Sequence, residues 1–66
     1  MNWHDVSTDW NKVSKKFQTK WGKLKDTDLK AIGGKREELV GRLQKLYSMD
    51  KTKADKAVDD FVKTLH

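Results

Sequence analysis

The chain has no cysteine and no proline, and only four glycines and two histidines among its 66 residues. Each shortage closes off a class of protein. Without cysteine there is neither a disulfide framework nor a thiolate metal site, so two common staples of a very small domain are missing. The lack of proline, with a charged fraction of 38% against 35% hydrophobic, fits a solvated helical bundle better than a sheet protein. No apolar run approaches the length that spans a bilayer, and the opening Met1-Asn2-Trp3-His4-Asp5 lacks the charged-then-apolar layout of a secretory signal. The expectation is a cytoplasmic protein whose mature form begins near Met1.

What the chain does have is aromatic: three Trp, two Phe and one Tyr. Disorder is the competing reading of so polar a sequence, and these large side chains at regular spacing argue against it. A single domain over residues 1–66 is expected, without repeat, linker or low-complexity segment. So short a chain buries only roughly 60% of the surface that its unfolded form exposes. Its small core must be built by packing helices around a few bulky residues.

Trp3, Val6, Trp10, Val13, Phe17, Trp21 and Leu24 recur at three- and four-residue steps. At about 100° per residue they fall within an arc of roughly 80°, one narrow seam of a first helix. Ser7 or Thr8 is placed to cap a helix starting there, which leaves Trp3 and Val6 either inside it or on a lead-in that folds back. Gly22 weakens its end. Asp26-Thr27-Asp28 supplies oxygens to cap a short second helix holding Leu29 and Ile32.

Gly33-Gly34 is the strongest punctuation, because paired glycines permit positive φ and a sharp change of direction. Beyond it, Leu39, Val40, Leu43, Leu46 and Tyr47 mark the buried face of a third helix, with Lys35-Arg36-Glu37-Glu38 leading in. Gly41 lies inside that helix at a cost of roughly 1 kcal/mol relative to alanine, which suggests close approach of another helix beside a Trp ring. Asp50 is the preferred cap of a fourth helix whose inner face is Ala54, Ala57, Val58, Phe61, Val62 and Leu65. The fold class expected is therefore all-α, a small four-helix domain.

Several segments also resemble a known family. Trp21-Gly22-Lys23-Leu24, then Asp28-Leu29, then Gly34-Lys35-Arg36-Glu37-Glu38-Leu39-Val40-Gly41 follow the order of its W-G-K-L, D-L and G-K-R-x-x-L-V-G features. Leu43-Gln44, Tyr47 and Ala54-Asp55-Lys56-Ala57-Val58-Asp59-Asp60-Phe61 extend the match over nearly the whole chain. By these motifs the chain resembles the bacterial CsbD-like (YjbJ-type) family. The resemblance implies a general stress-response protein of the bacterial cytoplasm, with no molecular activity established for the family. It also implies two short helical hairpins packed across one another, as in SAM-like and helix-hairpin-helix domains. Many relatives are near neutral or acidic, whereas this chain carries a net charge of +5.

That charge is uneven: residues 1–25 carry +4 and residues 35–48 carry +2, while residues 49–66 are neutral. Lys12, Lys16, Lys20 and Lys23 share an arc of about 80° on the first helix. They form either a solvated face or a positive stripe for phosphates. Leu29-Lys30-Ala31-Ile32-Gly33-Gly34-Lys35 looks like the L-x-G-I-G-x-K hairpin that holds a DNA phosphate on backbone N–H groups, although Ala31 stands at the first glycine. The segment reads as a structural turn or as a phosphate site. The candidate nucleic-acid contacts are then Lys12, Lys16, Lys20, Lys23, Gly33, Gly34, Lys35 and Arg36. Trp3, Trp10 and Trp21 are base-stacking platforms only if exposed, and their seam favours the core.

Catalysis has little support. His4 and His66 stand at opposite ends, and neither has the carboxylate spacing of a metal site. The adjacent pairs Glu37-Glu38 and Asp59-Asp60 diverge on a helix, and Ser7, Ser14 and Ser48 lack a partnered base. No cofactor is implied. Three functions remain: a non-enzymatic stress-response protein acting through protein contacts or abundance, a weak sequence-independent nucleic-acid binder, and a membrane-surface role for the first helix. The first is preferred and the third ranks last, since folding would bury the seam a membrane needs. A monomer is expected.

Overall fold

The tryptophan seam folds as two helices rather than one. In the computed structural model, which describes residues 2–65, the helices are α1 (Trp3–Thr8), α2 (Trp10–Lys20), α3 (Asp26–Ile32), α4 (Arg36–Tyr47) and α5 (Lys51–Thr64). The expected four-helix count is thus corrected to five, and the expectations that fall on Met1 and His66 lie outside the described residues. The break is at Asp9, with φ −102° and ψ 26°. Its N–H donates to the Asp5 carbonyl at 3.0 Å, closing α1, and its own carbonyl accepts from Lys12 and Val13 at 2.8 and 3.0 Å, opening α2.

Local polar side chains contribute to this division. Thr8 Oγ1 donates to the His4 carbonyl at 3.0 Å, the kind of back-bond that bends a helix. The capping role expected of Ser7 or Thr8 falls instead to Asn2, whose Oδ1 accepts the Asp5 N–H at 3.0 Å. α1 therefore starts at Trp3, and its bend folds Trp3 back over the seam. The Trp3 ring lies 6.3 Å from Trp10 and 6.2 Å, edge-on, from Phe17.

α2 ends at Lys20, and the Trp21-Gly22-Lys23 turn drops Leu24 into the core. Asp28 then serves two elements. One carboxylate oxygen accepts the Lys25 N–H at 2.9 Å at the start of α3, and the other accepts from Arg42 Nη1 at 2.7 Å, tying α3 to α4. At the end of α3 both glycines take positive φ, 53° at Gly33 and 86° at Gly34, as the turn requires.

α4 and α5 pack against each other and are joined through Ser48, itself at φ 53°, and Asp50, whose Oδ1 accepts the Lys53 N–H at 2.7 Å as the expected cap. Leu39, Val40 and Leu43 of α4 and Ala54, Val58 and Val62 of α5 are buried with Trp10, Phe17 and Trp21 in one cluster. Phe61 closes it from α5, edge-on to Phe17 at 4.9 Å and to Trp21 at 5.3 Å. Gly41 departs from expectation. It is exposed, and a methyl group built on it meets nothing within 4 Å. At about 100° per residue, position 41 points nearly opposite the Leu39–Val40–Leu43 face, so no helix or Trp ring of this chain approaches it.

Candidate interaction surface

Lys12, Lys16 and Lys20 lie exposed along α2, and none of them enters the ion pairs formed among the described residues. Lys23, counted with them in the sequence, is held elsewhere. Its Nζ donates to the Leu46 carbonyl at 3.2 Å and sits 5.0 Å from the centre of the Tyr47 ring, while its backbone N–H donates to Tyr47 Oη at 3.1 Å. The stripe is thus three lysines on α2 and a fourth clamped to the end of α4.

The glycine turn is occupied by its own fold. Gly33 N–H donates to the Leu29 carbonyl at 3.0 Å, and Lys35 N–H to the Ile32 carbonyl at 2.8 Å. Gly34 is buried beneath α1: a Cβ there would come within 3.0 Å of Ser7 Oγ and 3.2 Å of the Ser7 backbone. Trp3 Nε1 donates to the Gly34 carbonyl at 3.0 Å, and Trp10 Nε1 donates to the Leu29 carbonyl at 2.9 Å. Two indoles thereby bind the carbonyls of the α3 end and the turn. Trp10 and Trp21 are buried and offer no free face for a base, while Trp3 is half-buried.

Arg36 is also committed. Its guanidinium donates to Asp55 Oδ1 at 3.0 Å, to the Asp55 carbonyl at 3.2 Å and to Asp59 Oδ1 at 2.8 Å. Lys51 Nζ reaches the second Asp55 oxygen at 3.0 Å. Hydrogen bonds from Lys51 and Arg36 hold the Asp55 carboxyl below its ordinary pKa, and the same contact raises that of Lys51. Sequence reasoning counted Arg36 as a free cation because its partners lie 19 and 23 positions away. Lys35 alone of the turn's cations is exposed and outside these ion pairs.

Gly33 and the pair Lys16 and Lys20 stand on different flanks of α2. Gly33 borders a shallow depression with Trp10, Asn11, Ser14, Leu29 and Lys30 on one flank. On the other, Lys16, Thr19 and Lys20 face Phe61 and Leu65 of the α5 end across an open depression of about 410 Å³. The lining of this second depression is almost wholly apolar carbon, although Lys16 and Lys20 are two of the residues that form it. Sequence reasoning missed it, although the signal was present: the i, i+4 lysines on α2 and Phe61 at the edge of the inner face of α5.

Reactive chemistry is sparse. Among the described residues no group of three or more His, Asp or Glu side chains is placed to hold a metal ion, and no helix is long and apolar enough to cross a membrane. All large apolar side chains there are at least partly buried, including the seam that a membrane-surface role would use.

No protein-family model matches the chain, and no solved structure matches it. Curated proteins do. It is 41% identical over 61 residues to the UPF0337 protein pc0632 of Protochlamydia amoebophila, covering 92% of each chain. To the UPF0337 protein YjbJ of Escherichia coli it is 40% identical over 63 residues, covering 96% of this chain and 91% of that one. To the UPF0337 protein ECA0631 of Pectobacterium atrosepticum it is 45% identical over 58 residues, covering 88% and 84%. These names give a family and no activity. With such identity over most of both partners, the chain belongs to the UPF0337 (YjbJ) family, the CsbD-like family that its motifs resemble.

Proposed function

We propose that this chain is a small, non-catalytic stress-response protein of the cytoplasm that acts by contacting another protein, with the depression between α2 and α5 as its contact surface. The stress-response setting rests on the family resemblance. The contact surface rests on one observation: an apolar depression lined by Phe61 and Leu65 together with Lys16 and Lys20, which enter no ion pair among the described residues. Such a surface suits an acidic segment with a leucine or aromatic side chain, since the side chain gains apolar burial while its flanking carboxylates meet lysine. A phosphate backbone has no use for the apolar lining.

Lys12, Lys16 and Lys20 also support a second, weaker reading, sequence-independent binding of nucleic acid. The distribution of the candidate residues tells against a stronger form of it. Gly33 lies across α2 from Lys16 and Lys20, and Arg36, Lys23 and the Gly33 and Lys35 N–H groups are already engaged.

One pair of titrations tests both. A short peptide alternating Asp and Glu around a central Leu-Phe should shift the NMR resonances of Thr19, Lys20, Ala57 and Phe61, and Thr19→Glu should abolish the shifts by placing a like charge in the depression. No shift at these positions would overturn the contact surface. A mixed-sequence DNA duplex followed by fluorescence anisotropy should bind no tighter than roughly 10⁻⁴ to 10⁻⁶ M at physiological salt. Binding at low salt should disappear when Lys12, Lys16, Lys20 and Lys23 are replaced by Gln. Submicromolar binding that survives moderate salt would make nucleic acid the primary ligand.

A further inference from the structure

We infer that α4 is a self-association surface, on which two copies of this chain pair antiparallel and cross at Gly41. A glycine within a helix weakens it relative to alanine, and nothing in the chain's own fold uses the missing side chain: no atom lies within 4 Å of a Cβ built there. The position floors a shallow depression bordered by Glu37, Glu38, Arg42 and Lys45. Lacking a Cβ at its centre, this face of α4 can approach another helix backbone more closely than any other point along it.

The charges around Gly41 select the partner. Glu37 lies four residues before it and Lys45 four residues after it, both exposed. A two-fold axis at Gly41 that sets the helices antiparallel brings each Glu37, with Glu38 beside it, opposite Lys45 of the second copy, and the contact is then made twice. A parallel pairing would instead oppose Glu37 to Glu37 and Lys45 to Lys45, which repel. Opposite signs at equal distances from a central glycine are what a two-fold contact of the chain with itself requires, and a different partner would impose no such symmetry. The face is polar and narrow, so association is weak, concentration-dependent and reduced by salt.

The test uses the full chain in low-salt buffer, with mass followed by sedimentation equilibrium and NMR diffusion over a wide concentration series. The parent should show reversible growth towards twice the monomer mass. Glu37→Lys and Lys45→Glu, each alone, should remain monomeric, because each places like charges across the axis. An equimolar mixture of the two should regain association, since every contact is again between opposite charges. Gly41→Gln should stay monomeric while melting at a higher temperature than the parent, which separates loss of the contact from loss of the fold. A parent that stays monomeric throughout overturns the inference. So does association that persists in Gly41→Gln or in either charge variant, or a mixture that fails to regain it.

Discussion

A carbon atom added at position 34 would press on Ser7, and the backbone there already sits at φ 86°. These are independent penalties: a strained left-handed backbone for any residue with a Cβ, and a steric overlap with α1. Gly34→Ala should destabilise by about 1 to 3 kcal/mol, and Gly34→Val by more, because a β-branched side chain tolerates positive φ worst. Thermal melting followed by circular dichroism reads the difference. Adding Ser7→Gly should restore little, since the Ser7 Cα and carbonyl oxygen lie as close as 3.2 Å and remain after the side chain is removed. A Gly34→Val protein as stable as the parent would mean that α1 does not rest on the turn. Gly41 presents the opposite case. It has open space around it, so the same residue type at two positions seven apart answers to different constraints.

Between elements, the ion pairs of Arg36, Lys51, Asp55 and Asp59 join the first turn of α4 to α5. Asp55 is the shared member, accepting from both cations, with its side chain 29% exposed. Its pKa is lower folded than unfolded, chiefly through the Lys51 hydrogen bond and then that of Arg36. A carboxylate of this kind contributes stability above its unfolded pKa of about 3.9, and that contribution is lost as pH falls through the lower folded value. Acid should therefore weaken the α4–α5 contact in that window. Asp55→Asn should melt at a lower temperature than the parent at neutral pH. The gap between the two should close as the pH is brought down below the carboxylate range. Melts at a series of pH values decide this, and a constant gap would show that Asp55 acts through packing rather than charge. The Lys51 arm is exposed, so solvent screening keeps its contribution to stability small.

At the scale of the molecule, the core is one contiguous cluster within a chain whose Cα radius of gyration is 10.6 Å. Trp21 is central to it, only 4% exposed, 5.9 Å from Phe17 and 5.3 Å from Phe61, and so links the end of α2 to α5. Trp21→Ala should destabilise by about 3 to 5 kcal/mol. A domain of this length has a total stability of the same order, at roughly 0.05 to 0.15 kcal/mol per residue, so the variant should be largely unfolded rather than locally loosened. Urea denaturation measures it. A change below about 1 kcal/mol would place the ring outside the core.

The helical class, the seam from Trp3 to Leu24, the Gly33-Gly34 turn and the Asp50 cap were determined by the sequence itself, because each depends on periodicity or on a residue's own backbone preference over a few positions. The family was legible for the same reason, its motifs being runs of adjacent residues. Asp9 was not legible as a break, because the apolar spacing runs through it without interruption while the hydrogen-bond ladder restarts. Only the tertiary structure decided which polar groups were already taken: Arg36 by Asp55 and Asp59, Lys23 by Tyr47 and Leu46, and Gly34 by Ser7 and Trp3. It also decided that the α2 lysines border an apolar depression with α5 and that Gly41 faces away from every helix of its own chain. Helical spacing orders residues around one axis, whereas the partner of each face depends on the path by which distant segments return to it.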